Sequence, residues 1–284
     1  MLLWMPIHPK SVQLQKGTIQ WDRFVEIPFE LDFKVWLFDI TNPEDIMNGA
    51  KPVLKEVGPY AYKEKKKRNI LDTDDTDDTV IYEQELSLEF DESLSGDLKE
   101  DDELTLLNPV LLSMSQETNV IERMVLGGCL ERIFPPEYNT LFIKIKVRTV
   151  LFEGFEFAIN SDDVGVACGI VRKKILDKTL KARNIEQIKN GTDENEITSL
   201  RFSLLNYRIN QPDGMYGVNR GLRDVSQLGN IMRWNNDTKL PFWGRMESIN
   251  NDTCNKVRGT DSTIYPPYIT NDQSLEIFST DICR

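Results

Sequence analysis

The residues able to carry chemistry are few, and their spacing excludes more than it offers. His8 is the single histidine of 284 residues and lies in the opening MLLWMPIHPK. A Ser-His-Asp or Cys-His nucleophile would have to recruit its base from that short segment. Cys129, Cys168, Cys254 and Cys283 nowhere share a CxxC spacing, which removes zinc sites built on clustered ligands. The glycines of GMYGVNRG, at 214, 217 and 221, fit neither phosphate-loop pattern and read as turns between strands. Asp and Glu number 46, too many for any catalytic pair to stand out. No cofactor motif is present, and an enzyme is the remote reading.

Two other groups remain. Asp72, Asp74, Asp75, Asp77 and Asp78 crowd carboxylates as a calcium loop does, with Glu83 twelfth counting from Asp72. Asp77 occupies the sixth position, where the calcium loop requires glycine, so the segment reads as a solvated hairpin loop. Asn190, Asn236 and Asn251 open the triplets NGT, NDT and NDT. These are N-glycosylation candidates in polar, turn-like stretches, and they tilt the expected compartment toward the secretory pathway without deciding it, since such triplets also arise by chance. The net charge of −12 argues against a nucleic-acid partner, which needs a basic surface.

The elements that must position these residues read as α+β. FKVWLFDI, residues 33–40, is a strand. Thr41 or Asn42 then caps a short helix beginning at Pro43 and running to about Asn48. PVLKEVGPYAYKEKKKR resumes extended structure, with Gly58-Pro59 as a break and Tyr60 and Tyr62 on one face. TVIYEQELSLEF alternates like a half-exposed strand. The longest helical stretch runs through 103–135, with Pro109 at a start and Gly127-Gly128 weakening its end. Its apolar residues, among them Val110, Leu111, Met114, Val120, Ile121 and Met124, read as a core-facing helix pair. The competing reading is an exposed apolar surface for a ligand or partner. TLFIKIKVRTVLFEGFEFAI is strand-like, and GIVRKKILDKTLKARNIEQI is helical and basic. No stretch reaches the ~20 apolar residues that cross a bilayer. MLLWMPI is too short for a signal peptide. The architecture expected is a mostly antiparallel sheet or barrel with a helical insertion.

Three long stretches carry a resemblance. KVWLFDITNPEDIMNGAKPVLKEVGPYAYKE is similar to the segment near the start of the ectodomain in class B scavenger receptors, the fatty-acid-translocase family. YGVNRGLRDVSQLGNIMRWNN with LPFWG resembles its central segment, and CNKVRGTDSTIYPPYITNDQSLEIFSTDICR its most distinctive motif. Within the family, WDRFVEIPFELDFKVWLF and VRGTDSTIYPPY look most like the insect sensory neuron membrane proteins. The resemblance covers about residues 20–284.

What it implies is a cell-membrane protein with two spans and a glycosylated extracellular ectodomain. The ectodomain is an antiparallel β-barrel-like core with a helical cap, here about 103–140, traversed by an apolar tunnel. Residues 1–20 would be the remnant of the first span and its juxtamembrane segment. Residues 21–284 would be the N-terminal part of the ectodomain, in an incomplete chain. The resemblance also implies that Cys254 and Cys283 pair with cysteines beyond Arg284, not with each other. Cys129, in an apolar helical setting, reads as a buried free thiol. Cys168 has no assigned partner, and a Cys129–Cys168 bond stays open.

The implied function is a receptor or co-receptor for hydrophobic small molecules, fatty acids or pheromones. It would pass them through the tunnel to membrane lipid or to a partner odorant receptor, with odorant-carrier proteins as donors. An apolar conduit shelters hydrocarbon at ~0.8 kcal/mol per methylene and needs no covalent step. The cap tip Glu131–Thr140, with Phe134, Pro135, Pro136 and Tyr138, would make first contact, or would merely close a loop. Alternatives within the family are a general scavenger or lipid-uptake receptor and a lysosomal enzyme-transport receptor.

Overall fold

The computed structural model describes residues 9–157, 167–173, 182–190, 193–209, 211–240 and 254–280. Helix α1, Ile19–Val25, is capped by Thr18, whose hydroxyl accepts from Trp21 N at 3.2 Å. Strand β1, Leu31–Ile40, alternates as its sequence does. Phe33, Val35 and Leu37 pack on a core, while Trp36 and Phe38 point outward and stay exposed. Helix α2, Pro43–Met47, starts at the expected proline, with Glu44 and Asp45 in its first turn. The Asn42 side chain does not cap it. It reaches across the loop instead, donating to Lys51 O at 3.0 Å and accepting from Val53 N at 2.8 Å.

Strand β2, Leu54–Asp74, runs straight through Gly58-Pro59, where a break was expected. Glycine is required there because a Cβ would come within 2.5 Å of Trp36 Cδ1. β3, Thr79–Phe90, follows after the turn 75–78, and Asp91 then caps the short α3, Glu92–Ser95. The stretch read as one helical region divides. Residues Glu103–Leu107 are strand β4, paired with β5, Phe142–Lys146, so that Leu104 faces Ile145 and Leu106 faces Ile143. The helices begin only at Pro109: α4, Pro109–Glu117, and α5, Val120–Ile133. Leucine and threonine sit well on a pleated surface once a partner strand is supplied from far along the chain, and that partner overrides the local helical pattern.

The strand expected over 141–160 is interrupted after β5. A π-helical turn, Thr149–Glu153, and Gly154 separate it from β6, Phe155–Phe157. β7, Ile185–Asn190, and β8, Asp193–Phe202, complete a three-stranded sheet ordered β6-β8-β7. β9, Met215–Asn219, and β10, Ile231–Trp234, complete a five-stranded sheet ordered β1-β2-β3-β9-β10. The pairings β3–β9, β9–β10, β6–β8 and β7–β8 are antiparallel. The α+β reading and the antiparallel strands hold, but the barrel-like closure does not. Among the described residues each sheet has two free edges, a linear order that no pairing joins end to end.

The chain divides into two compact units. Unit 1 is residues 1–31, 64–87 and 211–284, and unit 2 is 32–63 and 88–210. In unit 1, Leu14, Trp21, Phe24, Tyr82, Tyr216 and Trp234 are buried together. Leu14 N also donates to Arg220 O at 3.0 Å. In unit 2, Tyr60, Tyr62, Leu126, Ile133, Phe134 and Phe157 belong to one core.

Candidate functional site

α5 is apolar on two opposite faces. Leu126, Cys129 and Ile133 recur at helical spacing and enter the unit 2 core, with Val125 and Leu130 beside them. At 100° per residue, Val120, Ile121, Met124, Gly127 and Gly128 fall on the far side. Val120, Ile121 and Met124 are 73%, 74% and 76% exposed. Neither glycine would bring a Cβ within 4 Å of anything. The helix is aimed by its N-terminus, where Asn119 Oδ1 accepts from Glu122 N at 3.0 Å and Glu122 returns the bond to Asn119 N. Arg123 donates back to Ser115 O at 3.0 Å and Thr118 O at 3.1 Å, closing the last turn of α4.

The core-facing reading therefore holds for α4, where Val110, Leu111 and Met114 are buried. It fails for the outer stripe of α5. The signal was present in the sequence, since no helix packed on one side can bury residues 180° apart. A cluster of large apolar side chains held in water marks a place that something covers. Covering each would be worth about 1.5–3 kcal/mol.

The expected contact residues at 134–138 stand differently. Phe134 is buried and stacks on Phe157 with centroids 5.8 Å apart, so it supports the core and offers no surface. Tyr138 is half-buried against Phe155 at 4.6 Å. Pro135 is half-buried and Pro136 exposed.

Cys129 is not a free thiol. It is bonded to Cys168 across 39 residues with Cα atoms 5.7 Å apart, joining the inner face of α5 to the helical segment 167–173. Sequence left this pair open because spacing carries no information on a contact made only by the fold. Cys254 is itself in a disulfide, and Cys283 lies outside the described residues. Asn236 is exposed in a turn at φ +68°. Asn190 closes β7, and Asn251 lies outside the described residues.

The acidic loop is bound by arginines, which its sequence alone did not show. Arg220 Nη2 lies 2.6 Å from Asp75 Oδ1, and its Nε lies 3.4 Å from the buried Asp78. Arg223 N donates to Asp78 Oδ2 at 2.9 Å, and Arg233 pairs with Asp77 at 2.6 Å. Asp75, Asp77 and Asp78 thus serve as partners for guanidinium groups, and among the described residues no group of His, Cys, Asp and Glu is arranged to hold a metal. No helix among the described residues is long and apolar enough to cross a membrane.

A sequence profile of the CD36 family matches residues 1–284. The chain is similar to sensory neuron membrane protein 2 of Heliothis virescens, 33% identical over 97% of this chain and 50% of that protein. It is 30% identical to sensory neuron membrane protein 2 of Anopheles gambiae, over 98% of this chain and 55% of the relative. It is 31% identical to sensory neuron membrane protein 1 of Manduca sexta, over 97% and 50%. The chain spans about half the length of the curated relatives it matches.

Proposed function

The chain belongs to the CD36 family, and on that premise we propose that it is the ligand-collecting part of a membrane receptor for lipophilic molecules. Fatty acids and pheromone-like aldehydes or esters are the intended class, and their transfer involves no covalent change. The outer stripe of α5 is the observation that carries this reading. Val120, Ile121 and Met124 are kept in water on a helix fixed from behind by the Cys129–Cys168 bond. Such a stripe can take up a hydrocarbon chain with little rearrangement, so that dehydration supplies the driving force. Delivery through an apolar tunnel, to membrane lipid or to a partner odorant receptor, is part of the same proposal.

The test is displacement of a fluorescent fatty-acid analogue by unlabelled fatty acid and by a long-chain aldehyde, comparing the native chain with Ile121→Asp and Met124→Glu. Both side chains are exposed, so the fold should be unchanged by circular dichroism. Loss of about tenfold or more in affinity is expected from removing this apolar contact. Unchanged affinity in both variants would overturn the reading.

A further inference from the structure

Unit 1 contains a cleft of about 540 Å³ unrelated to α5. One wall is β10 with the short 3-10 turn Val225–Gln227, and the other is formed by the segments 256–260 and 265–276. Backbone bonds set the two walls in place: Ile231 N donates to Gly259 O at 2.8 Å, and Thr260 N donates to Glu276 O at 3.0 Å. Gly259, at φ +89°, makes the close approach possible, because a Cβ there would fall 2.7 Å from Glu276 O.

The lining divides by chemistry. Lys256 and Arg258 flank the buried Val257 along an extended segment, so the two cations project to the same side. Arg258 shares its charge with Glu276 at 3.4 Å while remaining 45% exposed. Lys256 is exposed and has no carboxylate partner among the described residues. Met232, Leu275 and Pro266 add apolar surface to the same cleft. Met232 and Leu275 count among the exposed large apolar side chains of the unit.

We propose that this cleft binds an amphiphilic anion, with a carboxylate or phosphate head held by Lys256 and Arg258 and a hydrocarbon portion against Met232, Leu275 and Pro266. The volume suits a small ligand. The cationic pair is the necessary part, because a chain of net charge −12 repels anions at a distance and must hold one by local charge-assisted hydrogen bonds. The apolar wall then separates a head joined to a chain from a free anion. The inference stands apart from the α5 stripe and does not depend on it.

Isothermal titration calorimetry of the full 284-residue chain tests it with four probes: decanoate, decyl phosphate, decanol and inorganic phosphate. Decanoate or decyl phosphate should bind at least about tenfold more tightly than decanol or phosphate, since both halves of the cleft are engaged. Whichever of the two is tighter assigns the head group. Lys256→Glu and Leu275→Ser, both at exposed positions, should each weaken the preferred probe about tenfold or more, while Leu71→Ser, at an exposed apolar position of the same unit outside the cleft, leaves it unchanged. Equal binding of phosphate or decanol, or affinity indifferent to both cleft variants, overturns the proposal. A loss of the same size in Leu71→Ser would show that the effect does not belong to the cleft and also overturn it.

Discussion

Arg68 shows how much a single charged side chain can organise. It is 1% exposed, with its guanidinium 4.3 Å from the Phe24 ring centroid and 5.3 Å from that of Tyr82. It donates to Phe24 O, to Asp261 and to Thr263 Oγ1, the last at 2.6 Å. It thereby ties α1 and β2 to the RGTD segment within unit 1. Burial alone would push the Asp261 carboxyl up, but the Arg68 charge and the hydrogen bonds from Arg68 and Thr263 outweigh it and hold it below the ordinary carboxylate range. A carboxyl held low contributes stability that is present above its unfolded value, about 3.9, and is lost as pH falls through the folded one. Urea midpoints should therefore fall as pH drops below about 4. Arg68→Met should cost about 3–5 kcal/mol, because Asp261 is left as an uncompensated buried charge. Adding Asp261→Leu should recover part of that loss, and a double variant no more stable than Arg68→Met would refute the pairing argument. Nothing in the local sequence KKKRN distinguishes Arg68 from its basic neighbours. It is set apart by the strand period together with two rings supplied from residues 24 and 82, and only the fold supplies those.

At the scale of elements, legibility followed how local the deciding interactions are. β1, β3 and the start of α2 were readable because alternation and the fixed φ of Pro43 act over a few residues. Gly58-Pro59 misled because Trp36, on another strand, is the neighbour that requires glycine and lets the strand continue. The 103–107 segment misled because β5, nearly forty residues on, decides its conformation. The hairpin turn 75–78 is similar: its carboxylates read as solvated until Arg220 and Arg223 arrive from just after β9 and Arg233 from β10. Arg220 and Asp78 are both nearly inaccessible, whereas Arg233 and Asp77 are each about half exposed. Arg220→Ala should therefore cost about 3–5 kcal/mol in chemical denaturation, and Arg233→Ala at most about 1 kcal/mol. Equal effects would show that burial does not govern this clamp. The Cys129–Cys168 bond closes 39 residues, for which chain entropy gives about 4 kcal/mol. A Cys129→Ser/Cys168→Ser chain should lose stability of that order and should bind lipophilic probes more weakly, since α5 is then held by packing alone.

At the scale of the whole molecule, one compartment should accommodate every surface feature. A disulfide between Cys129 and Cys168 and the three sequons are both accommodated by a compartment where oxidation and glycosylation occur. The sequon at Asn236 can be argued from geometry. β10 ends at Trp234, and Asn235 and Asn236 both take left-handed backbone angles, φ +50° and +68°, before Asp237 bridges back to Trp234. Two consecutive positive angles make the tight reversal that suits twisted strands, and asparagine tolerates them better than any residue but glycine. The two side chains then divide the work. Asn235 turns inward, its Oδ1 accepting from Met215 N at 2.8 Å, while Asn236 is left exposed beside an exposed Thr238. A glycan there would extend into solvent without displacing a packed side chain or a hydrogen bond. Secreted from insect cells, the chain should carry sugar at Asn236, seen as a mass loss on enzymatic deglycosylation that Asn236→Gln removes for the peptide containing this turn. Asn235→Gln should leave the sequon occupied and lower stability by about 1 kcal/mol through the lost hydrogen bond to Met215. An unmodified Asn236 peptide from a chain whose Cys129–Cys168 bond has formed would separate oxidation from glycosylation, and the shared-compartment argument would fail at that point.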